Sequence, residues 1–307
     1  MPDTNYPTTI VPILSGGGTR LPAHIGILQA LDDLHVSYST IVGVSGGSII
    51  AALVAKGHSL TYLKQLALTT DFRQFTGFSL WRLLKQGGLS SGDHLEQWLD
   101  AQLEGITFEA LPFNLNIVAT DVNGGGPVIF NRDTTPTVKV SQAVRSSMSI
   151  PLIFAFKEFG DKLLVDGAIL SEDALFRDWQ KDGTPSVCFR LRSEPRKESL
   201  ADKGHFPLPL YLTMLTRTFM SALSREYVDT RFWQRTIIIN TGQISAVDFK
   251  AAQSTKLKLY QLGYDTTLSF IPKKLQQQSE VPGECRGPCY QGMNRHISRV
   301  ATLYQCR

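Results

Sequence analysis

The sequence predicts an α/β fold in which a parallel sheet meets its helices at glycine-rich loops. Two strand-to-helix corners carry this prediction. The first leads from an apolar strand over residues 10–14 through Ser-Gly-Gly-Gly-Thr-Arg into a helix over residues 23–34. The second leads from a strand over residues 38–44 through Gly-Val-Ser-Gly-Gly into a helix that ends near residue 56. Strands that alternate with helices in this way are typical of a parallel sheet covered by helices.

The composition fits one large α/β domain or two small ones. The chain has 307 residues, and its 42% hydrophobic content can fill a sizeable core. The net charge is +4, and residues 272–307 hold six basic and two acidic side chains. This balance argues against a nucleic-acid-binding surface and favours a solvated basic end. We predict a catalytic domain over residues 1–271 and a basic extension, containing Gly, Pro and Cys, over residues 272–307.

The cysteines and the N-terminal residues favour a cytoplasmic protein. The cysteines are too few for a disulfide scaffold, and none forms the C-x-x-C pair of a zinc site: Cys188, Cys285, Cys289 and Cys306. Pairing among the last three stays open. Residues 1–5 lack the basic start and apolar core of a secretory signal. We expect a cytoplasmic location with peripheral contact to a membrane.

The second corner holds the candidate nucleophile. Ser45 lies between Gly43 and Gly47 in a G-x-S-x-G pattern. Such a turn lifts a serine hydroxyl clear of the backbone, and glycine leaves room beside it. The helix that follows adds a positive dipole end close to the hydroxyl. The alternative is a tight packing corner without chemistry.

The first corner predicts an anion-binding loop. Its three glycines follow the strand directly: Gly16, Gly17 and Gly18. Backbone N–H groups in such a loop converge on an anion. A phosphate loop would end in Gly-Lys-Ser/Thr, whereas this one ends in Thr19-Arg20, and the dinucleotide fingerprint would need glycine at Leu21. Because the carboxyl ends of parallel strands share one edge, the loop is expected beside Ser45 as an oxyanion hole.

The remaining pattern continues the alternation. Further strands are predicted over residues 113–120, 127–130, 163–165, 186–191 and 235–240. Further helices are predicted over residues 59–68, from residue 92, over residues 138–148, and over residues 248–262 with Gly263 as the closing residue. The apolar stretch 206–223 is either a buried helix or a contact with lipid or a partner.

A candidate general base follows the strand over residues 163–165. Asp166 lies at the end of that strand, and Gly167 keeps the space above it open. A carboxylate in this place can accept the proton of a serine brought alongside. An isolated Asp-Gly pair is more often a turn, so its weight comes from the other motifs.

Four motifs occur in a characteristic order. Gly-Gly-Gly-x-Arg is followed by G-x-S-x-G, by Ala-Val-Arg-Ser-Ser-Met-Ser-Ile-Pro at residues 143–151, and by Asp-Gly-Ala at residues 166–168. Together they resemble the patatin-like phospholipases over residues 10–175, and more weakly to about residue 270. The resemblance implies a three-layer α/β/α fold with a central, mostly parallel sheet.

The resemblance also implies a lipid acyl hydrolase of the phospholipase A or lysophospholipase type. Its nucleophile would be Ser45 and its general base Asp166, a dyad without histidine that forms an acyl-enzyme. The glycine loop would supply the oxyanion hole, and further motif residues would support the site: Arg20, Gly43, Gly47 and Gly167. Two positions depart from the family pattern, because Leu21 and Leu152 stand where glycine is common.

The expected ligand is a phospholipid or lysophospholipid, with transient contact to a membrane surface. No metal, cofactor or nucleic acid is expected, and an activating protein or a homo-oligomer stays open. Two other functions stay open as well. An α/β-hydrolase esterase would pair Ser45 and Asp166 with His205 or His296 as base. A non-catalytic module would use the two glycine corners only to bind a lipid or an anion.

Overall fold

A computed structural model describes residues 8–75, 77, 79–169, 175–194, 211, 214, 215, 218 and 230–279. These residues form ten strands: β1 (Val11–Ser15), β2 (Thr40–Val44), β3 (Gly88–Ser90), β4 (Asn114–Asp121), β5 (Gly126–Phe130), β6 (Leu152–Phe154), β7 (Lys157–Phe159), β8 (Lys162–Asp166), β9 (Ser186–Arg192) and β10 (Thr236–Asn240). The predicted strands are all present, with ends that shift by at most two residues. The short strands β3, β6 and β7 were not predicted.

Eight strands form the central sheet, in the order β10-β9-β1-β2-β4-β8-β7 with β5 also paired to β4. The five strands from β10 to β4 are mutually parallel. β5, β8 and β7 join the sheet through antiparallel pairs. The predicted mostly parallel sheet is therefore confirmed. The β4–β5 pair is the predicted hairpin, with Gly125 at a φ of 68° in its turn.

Both faces of the sheet are covered, which gives the predicted three layers. Strand β1 is buried along its whole length. Its Leu14 enters a large core cluster on one face, whereas Val11 and Ile13 enter a second cluster on the other. Successive side chains of a strand point to opposite faces, so this division marks two separate layers. The larger cluster includes the apolar side chains of the helices that follow β1 and β2.

The described helices flank this sheet: α1 (Leu21–Asp33), α2 (Gly46–Lys56), α3 (Leu60–Thr69), α4 (Leu80–Gln86), α5 (Asp93–Leu103), α6 (Val140–Ser147), α7 (Thr230–Trp233) and α8 (Gln253–Ser279). Predicted end signals hold for two of them. The Ser59 side chain accepts the Tyr62 N–H at the start of α3, and Gly57 ends α2 in the left-handed conformation. Helix α4 was not predicted.

The predicted end of the last helix at Gly263 is wrong. Helix α8 continues to Ser279, and Pro272 lies inside it. Gly263 serves a close crossing with α1, because a Cβ there would fall on the carbonyl oxygen of Ala23. On the opposite side of the crossing, a Cβ on Gly26 would fall on the carbonyl oxygen of Tyr260. The helix is continuous across residue 271, where the boundary of the predicted extension lies.

Two sequence predictions fall on residues that are not described. Most of the apolar stretch 206–223 and all of residues 280–307 lie outside the described ranges. Cys188 is buried in β9, and the other three cysteines belong to the undescribed part. None of the described helices combines the length and the apolarity that crossing a bilayer requires.

The α1–α8 crossing gives a stability prediction. Gly26→Ala is expected to lower the free energy of unfolding by about 2 kcal/mol or more, because the new methyl group forces the two helices apart. Gly126→Ala is the matched control, since its Cβ would meet no atom within 4 Å. Urea denaturation measures both. Equal stability of the two variants would contradict the close crossing.

Candidate active site

The Ser45 corner has a strained backbone between β2 and α2. Ser45 has a φ of 54° and a ψ of −132°, in a region that L-residues seldom occupy. Glycine is required on both sides of it. A Cβ on Gly43 would meet the Cα of Ser48 at 2.5 Å, and one on Gly47 would overlap the carbonyl oxygen of Leu14. The corner is therefore held by close packing of β2, α2 and β1.

The structure brings Ser45 and Asp166 into direct contact. The Ser45 hydroxyl donates a 2.6 Å hydrogen bond to Oδ2 of Asp166. The other carboxylate oxygen, Oδ1, accepts the Ala168 N–H at 2.8 Å. Both partners of the Ser45–Asp166 pair are fully buried. The two side chains that the sequence singled out thus form one hydrogen-bonded unit.

Strand register explains how this contact arises. Val44, the last residue of β2, pairs with Val118 of β4, and Asp166 at the end of β8 pairs with Ala119 of β4. β4 therefore brings the ends of its two neighbours to the same level. Because β8 is antiparallel to β4, it starts beyond the carboxyl end of β2 and runs back towards Ser45. Gly167 allows this turn, since a Cβ there would overlap the carbonyl oxygen of Val118.

Burial raises the pKa of Asp166 to about 6, and the hydrogen bonds from Ser45 and Ala168 partly oppose this rise. Removal from water disfavours the charged carboxylate more than the two donors favour it. A carboxylate with a raised pKa is a stronger base than an exposed one. Asp166 is therefore suited to take a proton near neutral pH and to return it.

The glycine loop lies against the Ser45 corner, with all three glycines at positive φ. The nitrogen and oxygen of Gly18 lie next to Gly46, where a Cβ would meet both at 2.6 Å. The Gly16 N–H is donated to the carbonyl of Val44 at 3.1 Å. Gly16 therefore ties the loop to β2, and its N–H is already paired in this structure. Within the described residues, the N–H groups of Gly17 and Gly18 have no acceptor.

The orientation of these two N–H groups is fixed by the carbonyls of the same peptides. In a trans peptide the C=O and the N–H point in opposite directions. The Gly16 carbonyl accepts the Gly47 N–H at 3.0 Å and lies 3.0 Å from Nε2 of His24. The Gly17 carbonyl accepts the N–H of Arg20 at 2.9 Å and its Nε–H at 3.1 Å. Both N–H groups are thus turned away from these donors.

Arg20 and His24 are the buried side chains that hold the loop. The Arg20 guanidinium also donates to Oγ1 of Thr241 at 2.9 Å and to the Leu191 carbonyl at 3.3 Å, which links the loop to β9 and β10. Burial lowers the pKa of His24 to about 4, so its imidazole is neutral at pH 7 and Nε2 carries the proton donated to Gly16. Sequence reasoning placed His24 in a helix and missed this contact. The available signal was the position of His24 at the start of the predicted helix, a few residues after the glycine loop.

The Ser-Ser-Met-Ser motif closes the site from the side of α6. The Ser147 hydroxyl accepts the Ser45 N–H at 2.9 Å and donates to the Val118 carbonyl at 2.6 Å. Met148 places its sulfur 3.9 Å from the Ser45 hydroxyl. Buried Arg145 anchors the same motif through the Ser149 hydroxyl, at 2.7 Å. These contacts fix the serine backbone against β4.

The two departures from the family pattern have local explanations. Leu21 is the first residue of α1, is buried, and has a negative φ, so glycine is not needed there. Leu152 has a φ of 69°, a conformation that glycine adopts without strain. The backbone at residue 152 therefore keeps the form that suits glycine, and leucine carries a strain of about 1 kcal/mol.

A charged surface cleft between α5 and α6 includes neither Ser45 nor Asp166; its lining includes Asp93, Glu96, Asp100, Lys139 and Lys157. The part of the chain that the structure describes holds no cluster of His, Cys, Asp and Glu suited to a metal ion. His205 and His296, the alternative bases, lie outside the described ranges.

Several known proteins are similar to this chain in sequence. Residues 13–175 match the family model described as patatin-like phospholipase. An uncharacterized protein of Acanthamoeba polyphaga mimivirus is 30% identical over 282 residues, which cover 85% of this chain and 93% of that protein. A probable lipid hydrolase of Invertebrate iridescent virus 6 is 27% identical over 175 residues, which cover 51% of this chain and 59% of that protein.

The fold is also found in a solved structure. The crystal structure of VipD from Legionella pneumophila matches with a TM-score of 0.58 at 16% identity. The match covers 86% of this chain and 67% of VipD. At this level of identity the likeness concerns the fold, and it confirms the predicted architecture.

The buried carboxylate gives a prediction that needs no substrate. The folded pKa of Asp166 is about 6, against an ordinary value of 3.8, so ionisation above pH 6 costs the folded state about 3 kcal/mol. Asp166→Asn is expected to raise the free energy of unfolding by about that amount at pH 7.5. Below about pH 3 the wild-type side chain is protonated in both states, and the gain disappears. Denaturant unfolding at several pH values measures it, and a pH-independent difference would contradict the raised pKa.

Proposed function

The chain belongs to the patatin-like phospholipase family, and on that premise we propose that it is a lipid acyl hydrolase of the phospholipase A or lysophospholipase type. The family implies hydrolysis of lipid esters. The observation that carries the finer proposal is the 2.6 Å hydrogen bond from the Ser45 hydroxyl to Asp166. A nucleophilic hydroxyl that is hydrogen-bonded directly to a base of raised pKa is the arrangement that covalent acyl transfer requires.

In the acylation step, Ser45 attacks the carbonyl carbon of a lipid ester while Asp166 takes the hydroxyl proton. The carbonyl oxygen becomes negatively charged, and the N–H groups of Gly17 and Gly18 stabilise that charge. Asp166 then returns the proton to the leaving lysolipid or glycerol oxygen as the ester bond breaks. The product of this step is an acyl-enzyme on Ser45.

Deacylation repeats the same proton path with water. Asp166 takes a proton from a water molecule, whose oxygen attacks the acyl-enzyme carbonyl. The proton passes to the Ser45 oxygen as it leaves, and a free fatty acid is released. Every proton transfer in this scheme uses the one carboxyl group, so no step calls for a metal or an organic cofactor.

Two contacts favour the dyad over a histidine triad. In a triad the histidine lies between serine and aspartate, whereas here Ser45 and Asp166 touch. His24, which lies on the glycine loop, is neutral with a pKa of about 4 and donates to the Gly16 carbonyl. A group of this pKa is a weak base at pH 7. These contacts support the serine-aspartate assignment.

The proposed substrate is a phospholipid or lysophospholipid at a membrane surface. The proposed location is cytoplasmic, with peripheral and transient membrane contact. Because both dyad residues are fully buried, the proposal includes a movement that admits the acyl chain. An activating protein or a second copy of the chain is the kind of partner that would favour such an opened form.

Fluorophosphonate labelling tests the nucleophile and the base. The wild-type protein is expected to label covalently, and Ser45→Ala to lose the label. Asp166→Asn is expected to slow labelling by about 100-fold or more, since it removes the base. His205→Ala and His296→Ala serve as controls and are expected to label at the wild-type rate. Loss of labelling in either histidine variant supports the triad, and no labelling of intact protein supports a non-catalytic lipid-binding module.

The raised pKa of Asp166 also predicts the pH dependence of turnover. The value of kcat/KM for a short, water-soluble ester is expected to fall about tenfold per pH unit below pH 6, because the protonated carboxyl cannot accept the serine proton. Above about pH 6 the rate is expected to level. Initial rates between pH 4.5 and 8.5 measure this profile. A midpoint near neutrality that a histidine substitution abolishes would contradict the assignment.

A further inference from the structure

Helix α4 exposes two large apolar side chains on one face. The exposed fraction is 67% for Trp81 and 81% for Leu84. Residues three apart lie on the same face of a helix, so the two side chains form one apolar patch. A cap at each end holds this short helix: Ser79 accepts the Arg82 N–H, and Gly87 ends the helix in the left-handed conformation.

The chain segment that holds this patch is basic. The Lys85 amino group lies 4.7 Å from the centre of the Trp81 ring. Residues 72–92 hold three basic side chains and no acidic one. One of the three, Arg73, is paired with Asp71, which leaves Arg82 and Lys85 beside the apolar face. Segments that lie in the interface of an anionic bilayer typically combine tryptophan and leucine with flanking cations.

Helix α4 is hydrogen-bonded to the chain segment that leads away from the dyad. The Phe156 N–H donates to the Gln86 carbonyl at 3.3 Å, and the Leu152 N–H donates to the Gly87 carbonyl at 3.2 Å. That segment begins at Ser149, whose carbonyl accepts the Asp166 N–H at 3.0 Å. Backbone hydrogen bonds therefore link α4, through residues 149–152, to Asp166, which contacts Ser45.

We propose that Trp81 and Leu84 insert into the interface of a bilayer that carries anionic headgroups, with Arg82 and Lys85 on the headgroups. The inference rests on the proposed lipid hydrolase function and adds to it the surface through which the protein meets its substrate. Each part of the patch has a task. The apolar pair supplies the insertion, and the two cations select anionic surfaces and make the attraction sensitive to salt.

The chain offers a matched control at the other edge of the sheet. Trp233 is 53% exposed, and the Lys274 amino group lies 5.0 Å from its ring. It precedes β10, whose amino end lies opposite the carboxyl ends that meet at Ser45. Trp233 thus combines an exposed indole with a lysine, as Trp81 does, in a place remote from the dyad.

Vesicle sedimentation in the Ser45→Ala background tests the proposal, because binding is then measured without hydrolysis. The vesicles are of phosphatidylcholine with about one quarter phosphatidylglycerol, and of phosphatidylcholine alone. The Trp81→Asp/Leu84→Asp variant is expected to bind the anionic vesicles about tenfold or more weakly. Lys85→Glu is expected to reduce binding to anionic vesicles alone, and Trp233→Asp to bind like its parent. Circular dichroism and thermal melting check that each variant is folded.

Three results would overturn the proposal. The first is wild-type affinity of the Trp81→Asp/Leu84→Asp variant, and the second is the absence of vesicle binding in its parent. The third is a parent that is dimeric by gel filtration and monomeric after the double substitution, which assigns the patch to a contact between two copies. Fluorophosphonate labelling of Ser45 in the otherwise unchanged protein is independent of all three. Failure of the docking surface is thereby separated from failure of the proposed function.

Discussion

The hydrogen bond between Ser45 and Asp166 depends on the register of three strands. β4 lies between β2 and β8, and it pairs with one through Val118 and with the other through Ala119. A slip of one residue in either pair would turn the slipped side chains to the opposite face of the sheet. The rest of the site follows from this alignment. A serine and an aspartate that are 121 positions apart meet because the strands that carry them both pair with β4.

The surrounding network offsets the unfavourable features of the site. Ser45 has a strained backbone, and Asp166 is a fully buried carboxyl group. Each costs free energy that an ordinary turn or an exposed carboxylate would not. The neighbouring polar side chains are hydrogen-bonded to backbone atoms of two strands and of the glycine loop: Ser147 to Val118, Arg20 to Gly17 and Leu191, and His24 to Gly16. These hydrogen bonds hold the strained corner at Ser45 in place.

The local parts of the site could be predicted from the sequence, and the long-range parts could not. The glycines around Ser45 and in the loop predict tight turns, because few other residues adopt the backbone conformations of such turns. The residues of β8 do not show whether the strand is parallel or antiparallel to β4. The direction from which Asp166 approaches Ser45 could therefore not be predicted from the sequence. The contact between His24 and the Gly16 carbonyl likewise depends on how α1 packs against the glycine loop. Gly263 was misjudged because a glycine that ends a helix and one that permits a close crossing are the same in sequence.

Burial shifts the pKa of both His24 and Asp166, in opposite directions. Burial lowers the pKa of His24 to about 4, so no charge forms on its imidazole beside the glycine loop. The histidine therefore acts as a fixed hydrogen-bond donor to Gly16. Asp166 keeps its raised pKa of about 6, close enough to neutrality that both protonation states are accessible. Such a group accepts the serine proton without holding it, and can then give it to the leaving oxygen. In the proposed mechanism, the buried environment of Asp166 thus supplies the basicity that a histidine provides in a triad.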